Sequence, residues 1–152
     1  MILTYLCPPT VKNEQTTADN LSRTLADSGV RSTPQREVIF QVLLDERDHP
    51  TAEELFNRVK TRLPSISLAT VYNCLETLEQ CGLVKPVNFE RASTRFCPNR
   101  REHAHLMDAA TGKVRDVEVP ADLLEQLKAA VPAGFKLDQI EINFRGSSTA
   151  TR

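Results

Sequence analysis

The chain has 152 residues, 40% of them hydrophobic, and a formal net charge of −1. That is material for one domain or two small ones. It contains no apolar run long enough to span a bilayer, and it offers no bulk charge with which to attract a polyanion. Acidic and basic side chains also balance within residues 17–100, so affinity for nucleic acid must come from local placement of Arg31, Arg36, Arg58, Lys60 and Lys85.

Residues 1–16, with Pro8-Pro9 and scattered polar side chains, read as a loose tail. They lack a basic leader followed by a long apolar core, so no signal peptide is expected. Leu21, Leu25 and Val30 predict a short first helix ending near Gly29. Thr33-Pro34 opens a second helix, with a hydroxyl cap and proline at the first helical position; Val38, Ile39, Val42 and Leu43 form its buried stripe. Thr51-Ala52-Glu53-Glu54 is a capping box, starting a third helix with Leu55, Val59 and Leu63 inward.

The fourth helix carries the most information. Leu68, Val71, Leu75 and Leu78, with Cys74 in the same stripe, have helical spacing with one buried face. Ser67 caps its start, and Gly82 stands where a left-handed residue ends a helix. Its first turn is uncharged and turns Ala69, Thr70, Tyr72 and Asn73 partly outward, side chains suited to base edges and thymine methyls. Two short strands follow, within Leu83–Asn88 and Thr94–Cys97, joined by a turn at Glu90-Arg91-Ala92-Ser93. Three packed helices and then a β-hairpin make a winged helix-turn-helix, with the helix before the hairpin as the recognition helix. The same order of elements also suits a small α+β domain that binds no nucleic acid.

The second half predicts strands at His103–Ala109 and Lys113–Val119, broken at Thr111-Gly112. A helix opened by Pro120 follows, carrying Leu123, Leu124 and Leu127 and ended by Pro132 and Gly134. In Phe135–Arg145, Ile140, Ile142 and Phe144 alternate with Glu141, Asn143 and Arg145, which predicts a strand with one buried face. So small a sheet with one helix is expected to pair with a second copy. The expected class is α+β, divided into a flexible tail (1–16), a winged-helix DNA-binding domain (17–98), a hinge (99–102), a dimerisation domain (103–146) and a disordered tail (147–152).

The four cysteines, Cys7, Cys74, Cys81 and Cys97, include no Cys-x-x-Cys pair, so a reducing cytoplasm is the expected compartment. Cys74 and Cys81 read as small buried hydrophobes. The three histidines are His49, His103 and His105. His103 and His105, two apart in a predicted strand, share a face and make a two-point metal clamp. Cys97 precedes them at the end of the wing, Asp116 lies on the next strand, and His49 stands just before the capping box. Together they offer three nitrogens, one thiolate and a carboxylate, a set that suits zinc better than ferrous iron or manganese. Taken singly, His49 also reads as a polar turn residue and Cys97 as a buried apolar one. The same ligands also suit a zinc hydrolase, but no separate Glu or His base stands beside them.

Arg31-Ser32-Thr33-Pro34-Gln35-Arg36, His49 with Thr51-Ala52-Glu53-Glu54-Leu55, Ala69-Thr70-Val71-Tyr72, and His103-Ala104-His105 with Gly112-Lys113-Val114 resemble the ferric-uptake-regulator family of bacterial metal-responsive repressors. The resemblance covers about residues 20–145. It implies a homodimer on double-stranded operator DNA. Arg31 would enter the minor groove, Arg36 would touch the backbone, and Tyr72 would pack on bases; Asn73 replaces an arginine found in many members. It implies a regulatory metal on His49, Cys97, His103, His105 and Asp116. A cysteine at position 97 is similar to the zinc-sensing members, where iron and peroxide sensors commonly carry an acidic residue. Many members also hold a structural zinc on two Cys-x-x-Cys pairs; here Asp108 and Thr111 occupy the first pair's positions, so one metal per subunit is expected. Iron, manganese or haem, the last through Cys7-Pro8 or Cys97-Pro98, are the alternative cofactors.

Overall fold

The computed structural model describes residues 14–99 and 101–149. Most of the proposed tail, with Cys7, therefore lies outside the described residues, as does the end of the C-terminal one. The chain forms two compact units, one running up to residue 100 and one from residue 101.

The first unit begins with α1 (Glu14–Asp27). It starts earlier than the sequence reading, which left residues up to 16 as tail; the apolar stripe on which that reading relied begins only at Leu21. Helices α2 (Pro34–Glu46), α3 (Ala52–Val59) and α4 (Leu68–Gln80) follow. Each is started by a side chain that satisfies an otherwise unpaired backbone N–H. Thr33 accepts from the Arg36 amide, Thr51 from Glu54, and Ser67 from Thr70. At the far end of α4, Gly82 takes φ +70° while the Leu83 amide reaches back to the Leu78 carbonyl at 2.9 Å. This left-handed stop costs a glycine no strain.

Ile39, Leu43, Leu55, Val59, Val71, Leu75 and Leu78 close a shared core with Leu21 and Leu25 of α1. Phe40 joins them, a residue outside the expected stripe, while Val38, Leu63 and Leu68 are only half-buried. β1 (Lys85–Val87) and β2 (Arg95–Cys97) then pair antiparallel, Lys85 opposite Cys97. This wing is tied back to the helices where the Phe96 amide donates to the Pro50 carbonyl at 3.0 Å.

The second unit is a three-stranded sheet in the order β4-β3-β5, with β3 (Ala104–Asp108) central. β4 (Val114–Val117) runs antiparallel to it and β5 (Asn143–Gly146) parallel. A parallel neighbour needs a crossover, and α5 (Ala121–Ala129) lies in that connection. The buried apolar set is small: Ala104, Met107, Val114 and Leu124. Two expectations change here. His103 lies one residue before its strand. The alternating segment at Ile140–Arg145 becomes a strand only from Asn143, and neither face of it is buried: Phe144 is 49% exposed and Ile140 and Ile142 are half-covered. The alternation is real, but among the described residues nothing covers this face fully. No helix among the described residues is long and apolar enough to cross a membrane.

Candidate metal centre and nucleic-acid interface

In the second unit, antiparallel register sets Asp116 opposite His105. Nε2 of His103 lies 2.9 Å from Nε2 of His105 and 3.1 Å from Oδ1 of Asp116, which is 3.5 Å from Nε2 of His105. The two rings meet edge to face, their centroids 4.5 Å apart. Nδ1 of His103 faces the Arg101 carbonyl. A carbonyl only accepts, so Nδ1 is the nitrogen that donates to it, and in the neutral imidazole with that tautomer Nε2 is the nitrogen that can bind a metal. This is the outer-sphere arrangement that orients imidazole ligands in metal sites. Two nitrogens and a carboxylate oxygen thus converge from one sheet face and its edge.

In the first unit, a ring nitrogen of His49 and the Cys97 sulfur lie within 4.8 Å of each other, and both residues are buried. His49 sits in a tight loop between α2 and α3, with φ +56° two residues after Arg47 at φ +48°. Left-handed backbone is uncommon for non-glycine residues and persists where neighbours hold it. Arg58 grips the preceding Asp48 through two bonds of 2.8 and 2.7 Å, and Nη1 of Arg95 donates to the His49 carbonyl at 3.0 Å. The Arg58 hydrogen bonds hold the Asp48 carboxyl below its ordinary range.

Cys74 packs in the core as expected, and burial raises its thiol pKa. Asp108 and Thr111 are engaged within the β3–β4 turn: Oδ1 of Asp108 accepts the Ala110 amide at 2.9 Å, and Oγ1 of Thr111 accepts that of Lys113 at 3.3 Å. Hydrogen bonds shape this turn, and its residues do not fit a structural zinc of the Cys-x-x-Cys kind.

The start of α4 presents Ala69, Tyr72 and Asn73 to solvent, with Thr70 half-buried. Ser67 is committed to the cap, its Oγ 2.9 Å from Oγ1 of Thr70. Arg31 is exposed. The Arg36 guanidinium donates to the Arg31 carbonyl at 2.7 Å and lines a cavity of about 250 Å³ with Thr33, Gln35, Thr70, Asn73, Cys74 and Thr77. Tyr72, 45% exposed, donates its hydroxyl to Oε1 of Glu53 on α3 at 2.8 Å. That bond raises the phenol pKa and lowers that of the Glu53 carboxyl. Neither Glu53 nor Arg95 was singled out from the sequence beyond Glu53's place in a capping box. Their partners lie 19 and 46 residues away, and no local pattern announces them.

The chain matches the model of the ferric uptake regulator family over residues 27–145. It belongs to that family. It is 38% identical over 124 residues to the peroxide operon regulator of Bacillus subtilis (strain 168), covering 81% of this chain and 85% of that protein. Among solved structures it resembles a zinc-bound manganese uptake regulator, with TM-score 0.65 and 31% identity over 87% of this chain and 98% of that one. It also resembles the Vibrio cholerae ferric uptake regulator, whose structure is described as revealing rearrangement of the DNA-binding domains, with TM-score 0.68 and 27% identity over 84% and 99%. As a ferric uptake regulator family member the chain is a metal-responsive transcriptional regulator and not an enzyme, so the hydrolase alternative falls. Its fold is the family's, an N-terminal DNA-binding domain followed by a dimerisation domain.

Proposed function

We propose that this chain is a zinc-responsive repressor that binds operator DNA as a homodimer, and that His49, Cys97, His103, His105 and Asp116 serve one metal in common. The observation that carries this is the pair of incomplete donor sets: a buried imidazole beside a buried thiol in one unit, two imidazoles and a carboxylate in the other. Neither set alone supplies the four protein donors of a closed zinc site, and together they exceed it. A bound divalent cation supplies bonds to both sets at once and so fixes the angle across residues 99–102. In a dimer that angle sets the spacing of the two α4 helices, which must match successive major grooves. Metal and operator then favour the same conformer, each tightening the other by about 1–3 kcal/mol.

In this reading Ala69, Thr70, Tyr72 and Asn73 face base edges, Ser67 holds the helix start, Arg31 reaches the minor groove and Arg36 steadies the backbone contact. The domain division is the one read from the sequence, residues 17–98 for DNA and 103–146 for dimerisation, and a protein that works on DNA in this way belongs in the cytoplasm. The second copy covers what one unit leaves exposed: Leu123, Leu127, Phe135 and Phe144, and the outer edge of β5.

The Cys97 thiolate supports zinc over harder ions. A second reading has its own support. The Bacillus subtilis relative is named for peroxide, and iron or manganese would then be the cofactor. Operator gel shifts with zinc, ferrous iron, manganese and haem, with and without hydrogen peroxide, separate the two. Zinc-dependent binding indifferent to peroxide supports the first. Iron-dependent binding abolished by peroxide replaces it with the second, and a haem requirement overturns both.

A further inference from the structure

The loop that carries His49 and the tyrosine at the start of α4 share one foundation, the first turn of α3. Nη1 of Arg95 donates both to the His49 carbonyl at 3.0 Å and to Oε2 of Glu54 at 3.1 Å. The same Glu54 oxygen accepts the Thr51 amide at 3.0 Å, and Oγ1 of Thr51 accepts the Glu54 amide at 3.2 Å, which closes the capping box. Arg95 itself lies two residues before Cys97 on β2 and opposes Thr51 in an isolated bridge. One guanidinium therefore braces the loop of His49, the strand of Cys97 and the N-terminus of α3. From that same turn the adjacent Glu53 accepts the Tyr72 hydroxyl at 2.8 Å.

We propose that Glu53 is a positioning residue through which the first turn of α3 couples metal occupancy at His49 to the orientation of Tyr72 on DNA. The inference rests on the function proposed above. His49 has a left-handed backbone, a conformation that relaxes unless something holds it. A bond to its ring adds such a hold. With the loop held, Arg95 and Glu54 keep the α3 start in one place, and Glu53 keeps the phenol ring aimed. With the loop released, the turn loosens and the ring loses its rest. Coupling of this kind needs an element with two arrangements that both sites bias; the loop and its capping box are that element.

The test measures operator affinity with and without zinc, and separately manganese, in the full-length protein, and takes the ratio. Glu53→Ala removes the acceptor and a negative charge. Glu53→Gln removes the charge alone, since its amide oxygen still accepts. The ratio cancels the general gain in DNA affinity that follows loss of the charge. The expected result is that Glu53→Gln keeps the wild-type ratio while Glu53→Ala lowers it at least about threefold. Tyr72→Phe should lower it equally, and adding Glu53→Ala to it should change nothing more. By linkage, operator DNA should raise zinc affinity in Glu53→Ala by a correspondingly smaller factor than in wild type. A wild-type ratio in Glu53→Ala, or equal losses in the Ala and Gln variants, overturns the inference and leaves the proposed function standing. No metal effect in the wild type overturns the proposed function as well.

Discussion

Asp116 stands directly across from His105 in the β3–β4 ladder, its Oδ1 3.5 Å from that residue's Nε2 and 3.1 Å from Nε2 of His103. Strand register delivers this meeting. A slip of one residue would send Asp116 to the opposite face of the sheet. The hydrogen-bonded turn from Asp108 to Lys113 sets that register.

Cys97 and Cys74 are both buried thiols, but only Cys97 lies beside a histidine nitrogen. Cys97→Ser should weaken zinc-dependent operator binding at least about tenfold, since even outer-sphere changes at metal sites cost about 10–100-fold. Cys74→Ser should leave it nearly unchanged. Gel-shift titration at fixed free zinc checks this, and equal effects remove Cys97 from the site.

Tyr72 hydrogen-bonds to Glu53, which belongs to neither donor set, and just under half of its surface is open to solvent. Tyr72→Ala should weaken operator binding by about 1–3 kcal/mol, the scale of one good base contact. Zinc stoichiometry by elemental analysis should stay at the wild-type value. A fall in zinc content would show that this side chain supports the metal site and does not simply read DNA.

What the sequence made legible was local. Thr33, Thr51 and Ser67 each cap a helix within three residues of themselves, and the Leu68–Leu78 stripe needs only helical spacing to be read. His105 and Asp116 were legible because two strands and a short turn bring them together. Burial of Ile140, Ile142 and Phe144 was misjudged because alternation reports a face, not what covers it. The hydrogen bonds of Glu53 and Arg95 were invisible because they depend on how α3, α4 and β2 pack, which no spacing rule encodes.

Asp48 supplies a pH dependence. The Arg58 hydrogen bonds lower its carboxyl pKa in the folded protein. A carboxylate with a depressed folded-state pKa stabilises above its unfolded pKa, and that contribution is lost as pH falls through the folded value. Thermal melts of metal-free protein should therefore show a smaller loss of Tm on acidification in Asp48→Asn than in wild type. Because this pair is partly solvated the effect is modest. Parallel acid limbs for the two proteins would remove this ion pair from the account.

Thr51 anchors both the α3 capping box and the loop beside it. Thr51→Ala should destabilise the protein by about 1 kcal/mol, the usual worth of an N-cap side chain. Urea unfolding of wild type and variant, compared at equal slope, measures it. A change within about 0.3 kcal/mol, the error of adding independent effects, would mean that Arg95 and Glu54 hold the turn without the hydroxyl.

The central claim is that one ion is shared by donors from both units. Anomalous diffraction from crystals of zinc-loaded protein bound to its operator tests it most directly. The account predicts a single peak at bonding distance, about 2.0–2.3 Å, from Cys97 and His49 as well as from His103 or His105. A peak held by His103, His105 and Asp116 alone, with Cys97 and His49 turned elsewhere, would contradict it.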